Sequence, residues 1–190
     1  MPTSTLGYAL LALLARAPST GYELSQRAHR PLGYFWTAQH SQIHGELAKL
    51  TQAGAVTWHA APGPGPREKK VYSITQAGRQ DLAAWVVTPP PEPPVRSEML
   101  LRVYALWTAD PAAAAQMFAS QLARHRERLA DYEASWVVVT ANGVPPQSKP
   151  DFGNYATLQY GIGLERHNIA WFEWVLGQLT TPLAQPPDPR

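Results

Sequence analysis

A mainly α chain in two parts is predicted by three observations. Helical apolar spacing recurs in three segments within residues 6–53, two short β-like runs flank a Pro/Gly-rich loop within 56–74, and two long heptad stripes lie within residues 115–179. The first part reads as three helices, a two-stranded wing and a fourth helix. The second reads as an antiparallel helical dimerisation domain.

Composition supports this reading. Of the 190 residues, 45% are hydrophobic and 10% aromatic, enough to build a packed core. Only 16% are charged, below the usual quarter or so, so surface is expected to be buried against a partner, most simply a second copy. Eight Lys/Arg stand against four Asp/Glu in residues 1–87, and eight against ten in residues 88–190. The basic half is N-terminal, where a phosphate-binding module is to be sought. With no cysteine, a disulfide framework and thiolate chemistry are excluded, and a reducing, cytoplasmic setting fits. The apolar run from Leu6 to Ala15 is too short to cross a bilayer and lacks the flanks of a signal peptide. It reads as a core helix, with no membrane partner.

Leu6, Leu10, Leu13, Leu14 and Ala17 recur at helical spacing behind Thr3-Ser4-Thr5, which can cap an N-terminus. Pro18 stops this helix. A second runs from Tyr22 to about His29, and Tyr34-Phe35-Trp36 forms an aromatic knot before the third. That third helix extends from roughly Gln39 to Ala53, with Ile43, Leu47 and Leu50 inward and Gly54 placed to end it. Its other face carries Ser41, Gln42, Gly45, Glu46 and Lys49. Val56–His59 and Lys70–Ile74 read as strands. Pro62-Gly63-Pro64-Gly65-Pro66 between them must be a hairpin tip, because Pro cannot donate to a ladder. Thr75 caps a fourth helix from Gln76 to about Val87. This order is a winged helix-turn-helix.

A stiff Pro-rich stretch over residues 88–94 marks the boundary. The division is residues 1–88 for the winged unit, 89–97 for a linker, 98–182 for the helical dimerisation domain and 183–190 for a tail. Glu98 to Trp107 reads as a short helix, and Asp110-Pro111 opens the next. Two stripes follow. Ala115, Phe118, Leu122, His125, Leu129, Tyr132 and Trp136 alternate by three and four, as do Leu158, Ile162, Glu165, Ile169, Phe172, Leu176 and Leu179. Each stripe has one polar member. Prolines in the connection suggest an antiparallel pair, and Trp171, Trp174 and Val175 fall largely outside the second stripe.

Leu10–Leu14 followed by Gly21-Tyr22-Glu23-Leu24 resembles the opening of PadR-family regulators. Phe35 to Leu47 resembles the recognition-helix segment of the virulence-activator, AphA-like branch. Gly54-Ala55-Val56, Lys70 to Thr75 and Ala77-Gly78 match the wing strands and the entry to the fourth helix. Two positions depart from the pattern: His44 stands where relatives carry Tyr, and Gln39 where Ser is common. The resemblance implies a DNA-binding regulator working as a homodimer built mainly by its C-terminal helices; repression is the default, because an occupied promoter blocks polymerase, while the AphA-like branch includes activators.

Double-stranded DNA is therefore the expected partner, met by Gln39, His40, Ser41, Gln42, His44, Gly45 and Lys49 of the third helix and by Arg67, Lys69 and Lys70 of the wing. Leu158, Ile162, Ile169, Phe172, Leu176 and Leu179 are the expected dimerisation residues. Tyr155, His167, Trp171 and Trp174 form a candidate pocket for a small aromatic effector, since some family members respond to one. Enzymatic readings find little support. His40 and His44 have the i, i+4 spacing of metal ligands but no Glu beside the first to act as base; neither metal nor cofactor is expected. A helical interaction protein without DNA binding is the remaining alternative.

Overall fold

The computed structural model describes residues 3–29, 40–62, 68–92 and 96–180. The chain divides into two compact units, Met1–Glu92 and Pro93–Arg190. Gln39, Arg67, the aromatic knot of residues 34–36 and the tail of residues 183–190 lie outside the described residues.

In the first unit the elements run α1 (Thr5–Arg16), β1 (Ser19–Thr20), α2 (Gly21–His29), α3 (His40–Gln52), β2 (Val56–Ala61), β3 (Lys69–Ile74) and α4 (Gln76–Val86). Ser4 caps α1 by accepting the Gly7 N–H at 3.0 Å. Leu10, Leu11, Leu13 and Leu14 of α1 pack with Leu24, with Ile43, Leu47 and Leu50 of α3, and with Val56 and Ile74 of the sheet, forming one buried core. Helix α3 ends as its sequence demands. Gly54 takes φ +73°, its N–H bonds the Thr51 carbonyl at 3.0 Å, and the Ala55 N–H reaches back to Leu50 at 3.0 Å. This double closure requires a residue that tolerates the left-handed region.

The sheet is antiparallel in the order β1-β3-β2. Strand β1 was not foreseen, because two residues show no period. It pairs Ser19 with Tyr72 and Thr20 with Val71, so the wing is stitched directly to the entry of α2. Thr20 belongs to both elements. Its hydroxyl accepts the Glu23 N–H at 3.1 Å, and the Glu23 carboxylate accepts the Thr20 N–H at 2.8 Å, a reciprocal cap that starts α2 one residue earlier than Tyr22.

The second unit contains α5 (Glu98–Tyr104), a 3₁₀ turn (Leu106–Thr108), α6 (Pro111–Thr140) and α7 (Pro150–Thr180). The predicted helix to Trp107 thus ends at Tyr104. Helices α6 and α7 pack antiparallel. Phe118 meets Phe172, His125 meets Glu165, and Trp136 meets Tyr155, so partners descend α7 as they ascend α6. Phe118, Leu122, Phe172 and Val175 form the buried centre, with Met99 and Val103 of α5 against them. Tyr132 lies over Gly161, where an added Cβ would stand 2.8 Å from the ring.

The single polar members of the two stripes find each other. His125 Nδ1 lies 2.5 Å from Glu165 Oε2, and the Arg128 guanidinium donates to Glu165 Oε1 at 3.1 Å. Glu165 is buried, and a buried carboxylate is tolerated only when such partners satisfy it.

Candidate nucleic-acid interface

Helix α3 has one face fixed in the core and one in water. Ile43, Leu47 and Leu50 are buried, while Ser41, Gln42, His44, Gly45 and Lys49 are exposed. His40 opens the helix, although its side chain lies outside the description. Ala48 shares the exposed face, so small residues at 45 and 48 leave room for another surface to come close to the backbone.

Glu46 corrects the sequence reading. It is not on the outer face but buried, at 6% exposure. One carboxylate oxygen accepts the Ser4 hydroxyl at 2.6 Å, and the other holds Lys49 Nζ at 3.2 Å. The capping residue of α1 and the cation of α3 therefore share one carboxylate. Lys49 still projects, with 72% of its side chain exposed, but from a tethered base. His44 leans toward α2: a Cβ built on Gly21 would stand 2.6 Å from its ring. The imidazole thus packs at the corner between the two helices of the turn, and only Gly at 21 leaves it space.

On the wing, strand pairing sets Trp58 opposite Tyr72 and Ala60 opposite Lys70. Alternation puts Lys69 and Lys70 on opposite faces of the ribbon. Lys70 Nζ lies over the Trp58 ring, 4.1 Å from its centre, so a half-exposed aromatic holds this ammonium in place. Sequence reasoning missed Trp58; an aromatic two residues along the partner strand from a Lys was the available signal. Lys69 instead faces α2. The Thr20 N–H bonded to it holds the Glu23 carboxyl below its usual range, and the Lys69 and Arg27 charges act in the same direction. Arg67 and the hairpin tip lie outside the described residues.

The other predicted positions fall in the second unit. Leu158, Ile162 and Phe172 are buried, and Ile169, Leu176 and Leu179 partly so, in the packing of α7 with its own chain. Three of the six residues predicted to join two copies are thus covered within one chain, and three only in part. Nor do the four effector residues surround one cavity. Tyr155 lies tilted against Trp136, and Trp171 meets Phe118 edge-on. These two stations are 16 residues apart on a continuous helix, about 24 Å at the helical rise. His167 and Trp174 are exposed. Among the described residues, no group of three or more His, Cys, Asp or Glu is placed to hold a metal ion, and no helix is long and apolar enough to cross a membrane.

Two family models match the chain. Residues 10–84 fit the transcriptional regulator PadR-like family, and residues 95–180 fit the virulence activator alpha C-terminal family. The negative transcriptional regulator PadR of Bacillus subtilis is 34% identical over 176 residues, which cover 92% of this chain and 97% of that protein. Its crystal structure in complex with operator DNA superposes with a TM-score of 0.84 at 33% identity, covering 93% of this chain and 99% of that one. Its complex with p-coumaric acid gives 0.79 at 32%, covering 94% and 100%. The virulence activator AphA of Vibrio cholerae gives 0.71 at 29%, covering 92% and 98%.

Proposed function

The chain belongs to the PadR-like family of transcriptional regulators, and on that footing we propose that it is a cytoplasmic, sequence-specific double-stranded DNA-binding homodimer acting on a pseudo-palindromic operator. The family is one of regulators, not enzymes. The observation that carries the reading is the division of α3, whose apolar face is locked in the core while Ser41, Gln42, Gly45 and Lys49 face water. A helix so presented fits the major groove, about 12 Å wide. A relative similar over nearly its whole length has been crystallised on operator DNA. Two such helices on a dyad would read half-sites about 34–36 Å apart. That relative is a negative regulator, which favours repression.

Within this interface Gln42 has the amide geometry to satisfy an adenine edge, Ser41 can bond a base or phosphate, and Lys49 reaches a phosphate. His44 acts through the corner it packs, and Lys70, seated on Trp58, supplies the wing's phosphate contact. Gln39, His40, Arg67 and Lys69 are assigned to DNA contact by their positions in the sequence. The expected results differ by role. Gln42→Ala costs about 1–3 kcal/mol on the preferred site and relaxes preference at one base pair. Lys49→Ala weakens every sequence alike and lowers the slope of log affinity on log salt by about one. Binding-site selection on random duplexes, followed by titration across salt, separates the two. An unchanged Gln42→Ala site profile would remove that residue from readout.

A second reading is favoured by the p-coumaric acid complex of the relative: DNA binding here is switched by a small aromatic effector. An open cleft of about 420 Å³ between α5 and α6, lined by Glu98, Met99, Arg102 and Met117 among others, offers thioethers for a ring and, once exchanged from Glu98, the Arg102 guanidinium for a carboxylate. Addition of p-coumaric acid is expected to release the protein from its operator, and Arg102→Ala to blunt that release. Unaltered DNA binding and tryptophan emission at millimolar acid would dismiss this ligand.

A further inference from the structure

Helix α3, the helix assigned to the groove, carries no net charge. From His40 to Gln52 it has one carboxylate, Glu46, and one ammonium, Lys49, with histidine counted neutral. The two are paired, Lys49 Nζ lying 3.2 Å from Glu46 Oε2. Their settings differ: Glu46 is buried beneath the outer face, while Lys49 projects from it.

The carboxylate occupies a seat built for it. Its Oε1 accepts the Ser4 hydroxyl at 2.6 Å, and the Ser4 oxygen accepts the Gly7 N–H at 3.0 Å, so the relay ends in the first turn of α1. A Cβ built on Gly7 would stand 2.9 Å from the same Oε1, so glycine leaves the carboxylate its room. Folding asks here for an oxygen, not for an anion. A glutamine carbonyl of the same reach accepts the same hydroxyl. The ion pair adds little stability, because its ammonium stands in water. The full charge at 46 therefore needs another account.

Its consequence falls on the outer face. A phosphate oxygen bonded to Lys49 Nζ at about 2.8 Å comes within about 6 Å of the Glu46 carboxylate, given the 3.2 Å pair. That is inside the Debye length of roughly 10 Å at 0.1 M salt, so the phosphate meets both charges of the pair. We infer that Glu46 is an affinity-setting residue of DNA recognition: from behind the interface its carboxylate holds the Lys49 ammonium and repels the phosphate that this ammonium neutralises. Binding is thereby held below what the same surface gives with a neutral residue at 46. The restraint acts on a phosphate contact, which carries no sequence information. Operator and unrelated duplex are weakened by the same factor, and the complex stays dissociable without loss of discrimination.

The inference rests on the reading of Lys49 as a phosphate contact, and the test keeps the two apart. Full-length protein is titrated at low and at high salt with the duplex recovered by binding-site selection and with an unrelated duplex of equal length. Glu46→Gln is expected to bind both about 3- to 10-fold tighter than wild type at low salt, the Coulomb repulsion of unit charges at that range in a largely aqueous setting. The gain is expected to shrink as salt rises. Glu46→Asp, which keeps the charge, is expected to stay within about twofold of wild type. A merely structural Glu46 gives the opposite result, a loss in both variants that salt does not reverse. If Lys49→Ala weakens binding but a folded Glu46→Gln binds no tighter than wild type, the restraint is overturned and the phosphate contact stands. If Lys49→Ala binds like wild type, both fall. A gain indifferent to salt, or shared in full by Glu46→Asp, also overturns the restraint. Should Glu46→Gln fail to fold, Glu46→Met, of similar length and needing no hydrogen-bond partner, takes the same test with the same expected gain.

Discussion

Gly45→Leu is expected to fold at least as stably as the wild-type chain and to lose operator binding by about 100-fold or more. Gly45 lies mid-helix in α3, exposed and without a positive φ, and an added Cβ there meets nothing within 4 Å. Nothing among the described residues calls for glycine, and glycine in a helix interior is about 0.8–1 kcal/mol less favourable than a good helix former. The requirement then lies outside the chain, in a surface that approaches the α3 backbone closely. Four extra carbons at this position would lift the helix off a groove floor. Losing two base contacts worth about 1–3 kcal/mol each accounts for the hundredfold. Thermal melting and gel shift on one preparation make the test. A variant that melts no lower yet binds within threefold of wild type would move the interface off this face of α3.

The elements legible in the sequence are those whose signal is local. Ile43, Leu47 and Leu50 announce the buried side of α3, and Gly54 announces its end, because helical period and left-handed closure are properties of neighbouring residues. Glu46 was misplaced although its position agrees with burial. Residues 43, 46, 47 and 50 are spaced i, i+3, i+4 and i+7, the inward pattern, and the charge at 46 overrode it. What could not be read was the partner that makes burial tolerable: the Ser4 hydroxyl, 42 residues away. Strand β1 was illegible for a related reason, since two residues become a strand only when β3 arrives beside them. Helix α7 shows the limit most plainly. Its apolar residues are visible in the sequence, but the sequence does not say which of them its own α6 covers. The effector aromatics, taken as a group by their period, are separated by the straightness of the helix that carries them.

Gly78→Ala gives the opposite outcome to substitution at Gly45, through the same chemical change in backbone freedom. Thr75 and Gly78 belong to the motif that opens α4, and the structure supplies its physical reason. The Ala55 carbonyl, at the exit of α3, accepts the Thr75 N–H at 3.0 Å, while the Thr75 hydroxyl donates to the Gly54 carbonyl at 2.7 Å and accepts the Gly78 N–H at 3.1 Å. A Cβ at 78 would stand 2.2 Å from the Ala55 carbonyl oxygen, a backbone atom that no rotamer change can clear. Helix α4 must then withdraw, stretching the three hydrogen bonds and the contacts that tie α4 to α1, where Asp81 accepts from Thr3 and Tyr8 and Trp85 stacks on Tyr8. Strain and disrupted hydrogen bonding of this kind cost about 2–4 kcal/mol. In a unit of this size that lowers Tm by about ten degrees or more. Gly45→Ala, with open space at its Cβ, is the matched control and is expected to gain a few tenths to 1 kcal/mol. Because α3, the wing and α4 meet at the Ala55 carbonyl, the destabilised transition is expected in the first unit alone, with the α6–α7 helices melting as in wild type. If Gly78→Ala melts within two degrees of wild type, that junction is pliable, and the position of α3 depends on the α1 core rather than on α4.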